Sequence, residues 1–292
     1  MPDVAIVTDS VCGIPENILD DLGIHWIPYF VYRGDEVLRD LVTIQRDAFY
    51  EWLPTAKTLP TTACPGPGDY LKEYSRITQE FNIHNIVSIH MTSKGSGAYQ
   101  SARTAQNMAS EMLPAANIEV IDTLNASMCH GWMVIEAARA ARAGNSFSEI
   151  IDLVKKMMPV TRMIHTADTL KYLYMGGRIG KAKHLMGSLL SVKPLIGMED
   201  GIIVALGQAR SRSQAYQLMA NKIEAVVGSM GKIKVAYVHA AALEEVSKLR
   251  SRVEERLTCV ETLITELSPA LGVYTGPGTC GLCYYPVAAL ET

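Results

Sequence analysis

Several features that would direct the reading elsewhere are missing from this 292-residue sequence. There is no surplus of positive charge: 27 Lys and Arg stand against 30 Asp and Glu, for a net charge of −3, and no dense Lys/Arg run occurs. That balance gives no basic face for nucleic acid. No apolar run approaches the length needed to cross a bilayer, so no integral membrane segment is predicted. There is no Gly-Lys-Ser/Thr phosphate loop and no cluster of metal-ligating residues, which argues against a kinase acting alone and against a resident metal or cofactor. The opening, Met1 to Val7, reaches an acid at its third residue and reads as something other than a signal peptide. The six cysteines are scattered, the pattern of reduced thiols and a cytoplasmic home. Only Cys280 and Cys283 form a C-x-x-C. It has no second ligand pair and lies in a strand-like stretch, so neither a metal nor a redox role is read from it.

What is present is an alternation of short apolar runs and helical patterns. Residues 4–7 form a continuous apolar run, as in a strand buried on both faces of a parallel sheet, and end in Thr8-Asp9-Ser10. A short helix follows at 15–22, a strand at 24–32 and a helix-like segment at 45–53. Strands at 86–89 and 118–122 each precede a helix, and the helix predicted over 126–143 stops at Gly144-Asn145. This order argues for a parallel sheet with helices on both faces over residues 1–160. Beyond Pro159, Glu199-Asp200-Gly201 between two apolar runs is a hairpin signal. Helices at 213–227 and 242–256 with strands at 232–238 and 259–265 complete a mixed-sheet α/β domain over 161–292. Loops at the strand carboxyl ends of the parallel sheet gather at one edge, where open α/β sheets hold ligands.

The chemistry-bearing stretch is Met91 to Ala102, where a strand hands over to a helix through Thr92, Ser93, Ser96 and two glycines. Unpaired N–H groups and the positive end of a helix dipole converge there, so it can serve as an anion cradle or as a plain helix cap. Thr61 and Thr62 lie on a loop stiffened by three prolines. Arg178 follows Gly176-Gly177 in a shaped turn, and its planar fork suits a carboxylate or phosphate. Tyr274 sits in a closing loop, 269–278, rich in glycine and proline. Arg210 and Arg212 follow the hairpin.

Taken together these pieces resemble the DegV family of bacterial fatty-acid-binding proteins. The matching residues are Thr8-Asp9-Ser10, Thr61-Thr62 ahead of Pro65 and Gly68-Asp69, Ser93 to Ala102, Gly176-Gly177-Arg178-Ile179, Lys193-Pro194 with Asp200-Gly201, and the closing loop. The resemblance implies a DegV-like fold of two α/β domains with a long-chain fatty acid between them. Thr62 and Ser96 would hold the carboxylate, with Arg178, Ser93, Thr61 and Tyr274 near it. It also implies presentation of the acid to a separate fatty acid kinase, with Arg210 at the kinase contact, and a binding role instead of an enzymatic one. The sequence departs from the family in carrying Ala63-Cys64 where relatives have serine and glutamine, and Tyr274 where kinase-linked relatives have histidine. A phenol donates a hydrogen bond but does not replace an imidazole. The residues by themselves leave a second reading open, an enzyme acting on a small carboxylated or phosphorylated metabolite with His90 or His239 as base.

Overall fold

Residues 2–188, 192–228 and 231–290 are described by a computed structural model. The elements run in the order β1 (Val4–Asp9), α1 (Glu16–Leu22), β2 (His25–Ile27), β3 (Phe30–Arg33), β4 (Glu36–Arg39), α2 (Arg46–Trp52), β5 (Thr61–Ala63) and α3 (Pro67–Glu80). They continue with β6 (Asn85–His90), α4 (Ala98–Met112), β7 (Asn117–Asp122), α5 (Ser127–Arg142), α6 (Phe147–Met157), β8 (Arg162–Thr166) and α7 (Lys171–Met175). The chain closes with β9 (Lys193–Glu199), β10 (Ile202–Ala209), α8 (Arg212–Val227), β11 (Lys232–His239), α9 (Leu243–Glu254), β12 (Thr258–Glu266), α10 (Pro269–Thr275) and β13 (Cys280–Pro286).

Among the described residues three sheets form. The first is parallel, in the order β2-β1-β6-β7. Every residue of β1 is buried, as an apolar strand with helices on both sides requires. The second is a small antiparallel sheet, β4-β3-β5. The third has the order β10-β9-β8-β13-β11-β12 and is mixed, since only β11 and β12 run parallel.

The layering follows from which residues each helix buries. Tyr70, Tyr74 and Ile77 of α3 and Ala102, Ala105 and Ala109 of α4 pack on Ala5 and Val7 of β1. The alternate residues Val4 and Ile6 face α5. Helix α5 is buried at every residue from Ser127 to Ile135, with its charged residues confined to the second half, and its other side meets the mixed sheet. Trp132 Nε1 donates to Cys283 O (3.1 Å), and the indole lies edge-on to Tyr285 at 5.7 Å. One core cluster therefore runs from β1 through α5 to Ala236, Val238, Cys283 and Tyr285. The far face of the mixed sheet is closed by α8 and α9 through Ala215, Met219, Val246 and Leu249.

Four local expectations need correction. The strand predicted over 24–32 is two strands in two sheets, because Pro28 lacks an N–H and breaks the ladder between Ile27 and Phe30. The threonine loop is a strand, β5, whose pairing to β3 supplies the order that its prolines begin. The helix expected from Lys181 is 3-10 over Gly180–Ser188. The closing loop contains α10, started by Pro269 after Ser268 and ended by Gly276 at φ +71°, so its proline and glycine punctuate a helix. The C-x-x-C lies on β13, where a separation of three puts Cys280 in the α8 side and Cys283 in the α5 side. The two sulfurs face apart and do not form a joint ligand pair.

Candidate ligand site between the sheets

A cavity of about 630 Å³ opens beyond the carboxyl ends of β1 and β6, where open parallel sheets hold ligands. Its far wall comes from the mixed sheet: Met163 and His165 of β8, and Ile196 and Met198 of β9. Methionine and branched side chains dominate that wall, a surface suited to a flexible apolar body.

The stretch after β6 shapes one end. Gly95 N and Ser96 N donate to Thr92 O (3.0 and 3.1 Å), making a tight turn, and α4 starts at Ala98 with Gly97 in the cap position. Ser96 Oγ accepts from Ala98 N (3.3 Å) and lies 2.7 Å from Tyr29 Oη. Ser96 thus supports the helix start and still presents a hydroxyl to the cavity. Burial, with Asp9 adding to it, pushes the Tyr29 phenol well above its ordinary range, so it stays an uncharged donor.

The hairpin between β9 and β10 docks on the same stretch. Thr92 Oγ1 donates to Gly201 O (3.0 Å), and Lys94 Nζ donates to Asp200 O (2.6 Å). A Cβ on Gly201 would sit 2.3 Å from Thr92 Oγ1, and its φ is +75°, so only glycine fits this crossing.

On β5, alternation turns Thr61 outward and Thr62 toward the cavity, where Thr62 Oγ1 lies 2.7 Å from Tyr274 Oη. The Arg178 guanidinium stacks 4.9 Å over the Tyr274 ring, with Nη1 donating to Gly176 O (2.7 Å) and Nε to Gly95 O (3.3 Å). A Cβ on Gly176 would come within 2.4 Å of the Tyr274 ring, so the glycine lets turn and phenol meet. The α10 helix that carries Tyr274 is tied down by Asp40, whose Oδ1 accepts from Ala270 N (3.0 Å) and Oδ2 from Ser10 Oγ (2.6 Å).

Of the residues singled out from sequence, Thr62, Ser96, Arg178 and Tyr274 line the cavity. Ser93 and Thr61 do not: Ser93 is exposed with its N–H on Asp122 Oδ1 (3.2 Å), and Thr61 faces out. Arg210 is exposed outside the cavity, its N–H on Gln214 Oε1 (2.7 Å). His90 is wholly buried, with Nδ1 donating to Asp9 Oδ2 (3.0 Å) and Nε2 2.7 Å from Ser88 Oγ. His239, whose pKa burial lowers, also lies off the cavity, with Nδ1 accepting from Ala242 N (3.4 Å). Neither candidate base reaches the site. Tyr29, Ser127 and His165 line it and were not singled out. The sequence signal for Tyr29 was its place directly after the strand-breaking Pro28, and for His165 a lone polar residue in an apolar strand.

A family model described as "Uncharacterised protein, DegV family" matches residues 3–287. The chain belongs to the DegV family. A DegV domain-containing protein of Halalkalibacterium halodurans is 31% identical over 98% of this chain and 99% of its own length. A Thermus thermophilus structure described as fatty acid binding of a DegV family protein superposes with a TM-score of 0.91 at 28% identity, covering 98% of this chain and all of that one (100%). Bacillus subtilis DegV, described as a fatty acid binding protein, gives 0.85 at 26% identity over 98% and 100% of the two chains. The DegV architecture of parallel and mixed sheets is therefore that of this chain.

Proposed function

We propose that this DegV-family chain binds a long-chain fatty acid in the cavity, with its carboxylate at the end formed by Thr62, Ser96, Tyr29, Tyr274 and Arg178 and its tail along the Met163–Met198 wall. In this reading residues 1–160 and 161–292 act as two domains with the acid between them. The observation that carries it is the arrangement of donors. Hydroxyls in two close pairs, one stacked on by a guanidinium, stand at one end of an otherwise largely apolar cavity of about 630 Å³. Each hydroxyl pair can turn its hydrogens onto a carboxylate oxygen, and a charged acceptor strengthens those bonds. The relatives described as fatty acid binding support the choice of an acyl ligand.

The role beyond binding is presentation of the acid to a separate kinase, with Arg210 on the contact face. Its exposure and its distance from the cavity lining suit a partner contact. Tyr274 in place of an imidazole leaves the carboxylate end with hydrogen-bond donors and one guanidinium for holding the acid. Phosphoryl chemistry then falls to the partner and its ATP. Among the described residues no helix is long and apolar enough to cross a membrane; the proposed carrier works in the cytoplasm, where the kinase and its ATP would be.

The test is extraction. The purified protein is denatured, extracted with organic solvent and analysed by mass spectrometry, and one fatty acid per chain is expected. A protein that stays lipid-free after incubation with saturated and unsaturated long-chain acids would refute the reading.

A further inference from the structure

Nearly every polar side chain on the cavity wall has its hydrogen bond inside the protein. Tyr29 pairs with Ser96, Thr62 with Tyr274, Thr92 with Gly201 O and Lys94 with Asp200 O. Thr275 and Thr279 donate to the carbonyls of Leu271 and Thr275. Among the described residues Ser127 is the exception: it is 3% exposed, it lines the cavity, and its Oγ has no partner among them. It is the first residue of the 16-residue α5, whose cap residue Ala126 offers no side-chain bond. Its φ of +53° is a left-handed value that a serine adopts at a cost, the kind of strain that collects at working sites.

His165 lines the same cavity. Its Nε2 lies 3.8 Å from Cys283 Sγ, and that sulfur is also hydrogen-bonded to Cys129 in the first turn of α5. His165 is thus linked through Cys283 to Cys129, two residues beyond Ser127 at the positive end of a long helix, and both Ser127 and His165 line the cavity. A purely hydrocarbon tail passing this point leaves the Ser127 hydroxyl unpaired, as it is in the free protein, and gains no hydrogen bond there, whereas a polar substituent would pair it.

We propose that Ser127 and His165 form a second subsite, away from the carboxylate, that takes a hydroxyl carried on the acyl chain and so selects hydroxylated fatty acids. The substituent accepts from Ser127 Oγ and pairs with the His165 ring. A site built to pair a ligand hydroxyl discriminates against the analogue that lacks it. The inference rests on the fatty-acid reading above and adds to it a chain chemistry.

The experiment titrates the delipidated protein with octadecanoic acid and with hydroxyoctadecanoic acids whose hydroxyl is moved along the chain. At least one positional isomer should bind about tenfold more tightly than the unsubstituted acid, the return on one buried hydrogen bond. Ser127→Gly, which keeps the left-handed backbone at no steric cost, and His165→Leu should each erase that preference. Equal affinity of the wild type for every acid in the series would overturn the subsite and leave the fatty-acid reading standing. Equal weakening of substituted and unsubstituted acids by Ser127→Gly would also overturn it, because it would place Ser127 on the carboxylate. Binding of no acid at all would remove both.

Discussion

Replacing Asp40 with asparagine should change the stability of the protein in a way that depends on pH. Asp40 is wholly buried, and burial pushes its carboxyl from 3.8 up to about 6 against the hydrogen bonds from Ser10 and Ala270 and the nearby Arg46 cation. The folded state therefore holds a proton more tightly than the unfolded chain does. Stability from this group is fully present below the unfolded value of 3.8 and is lost as pH rises through about 6. The difference between those two values is roughly 2 units, or about 3 kcal/mol, at about 1.4 kcal/mol per unit. Asparagine keeps an oxygen for the Ala270 N–H and does not titrate. Urea unfolding of both proteins at about pH 4 and about pH 8 should show wild type losing about 2–3 kcal/mol relative to Asp40→Asn between the two. Parallel stability curves, with the difference constant to within about 0.5 kcal/mol, would refute the burial argument.

Ser96→Ala should weaken fatty-acid binding by about 10- to 100-fold, since it removes a donor to a charged acceptor. Arg178→Ala should cost only about two- to fivefold because its guanidinium is exposed. Unchanged affinity in both titrations would move the carboxylate elsewhere. Trp132→Ala should destabilise the protein by about 3–5 kcal/mol in chemical denaturation, by cavity formation and loss of the bond to Cys283 O. A cost like that of an exposed tryptophan would contradict its place between the sheets. Gly201→Ala should lower the melting temperature and weaken ligand binding together, through left-handed strain of about 1–3 kcal/mol and the clash with Thr92. Loss of only one of the two would disconnect the hairpin from the site.

Much of this was readable in advance, and the exceptions share a cause. Strands such as β1 and β6 and helices such as α4 declare themselves by local periodicity, and Asp200-Gly201 by the backbone it demands. Thr62, Ser96 and Arg178 were findable because stiff or glycine-shaped turns present polar groups. Position 28 shows the limit: the chain stays extended on both sides of the proline, so the change of sheet leaves no trace in local pattern. Ser93 and Thr61 were included because adjacent residues share a motif, yet a turn and a strand send neighbouring side chains opposite ways. Tyr29, Ser127 and His165 gain their position only from tertiary contact, Ser127 from a backbone angle that nothing in its own residue type requires. The buried place of α5 was visible as apolarity, but its second covering layer comes from strands more than a hundred residues later.

Because α5 packs in a core shared by both sheets, the two proposed domains should not fold apart from one another. A fragment ending near residue 160 would leave Trp132 and Met133 without their cover from β11 and β13 and would be prone to aggregate. A fragment starting there would carry a sheet bare on one face. Duplication, swapping or loss of either half is thus closed to this architecture as a simple route of change, and variation is left to the loops and short helices around the cavity mouth.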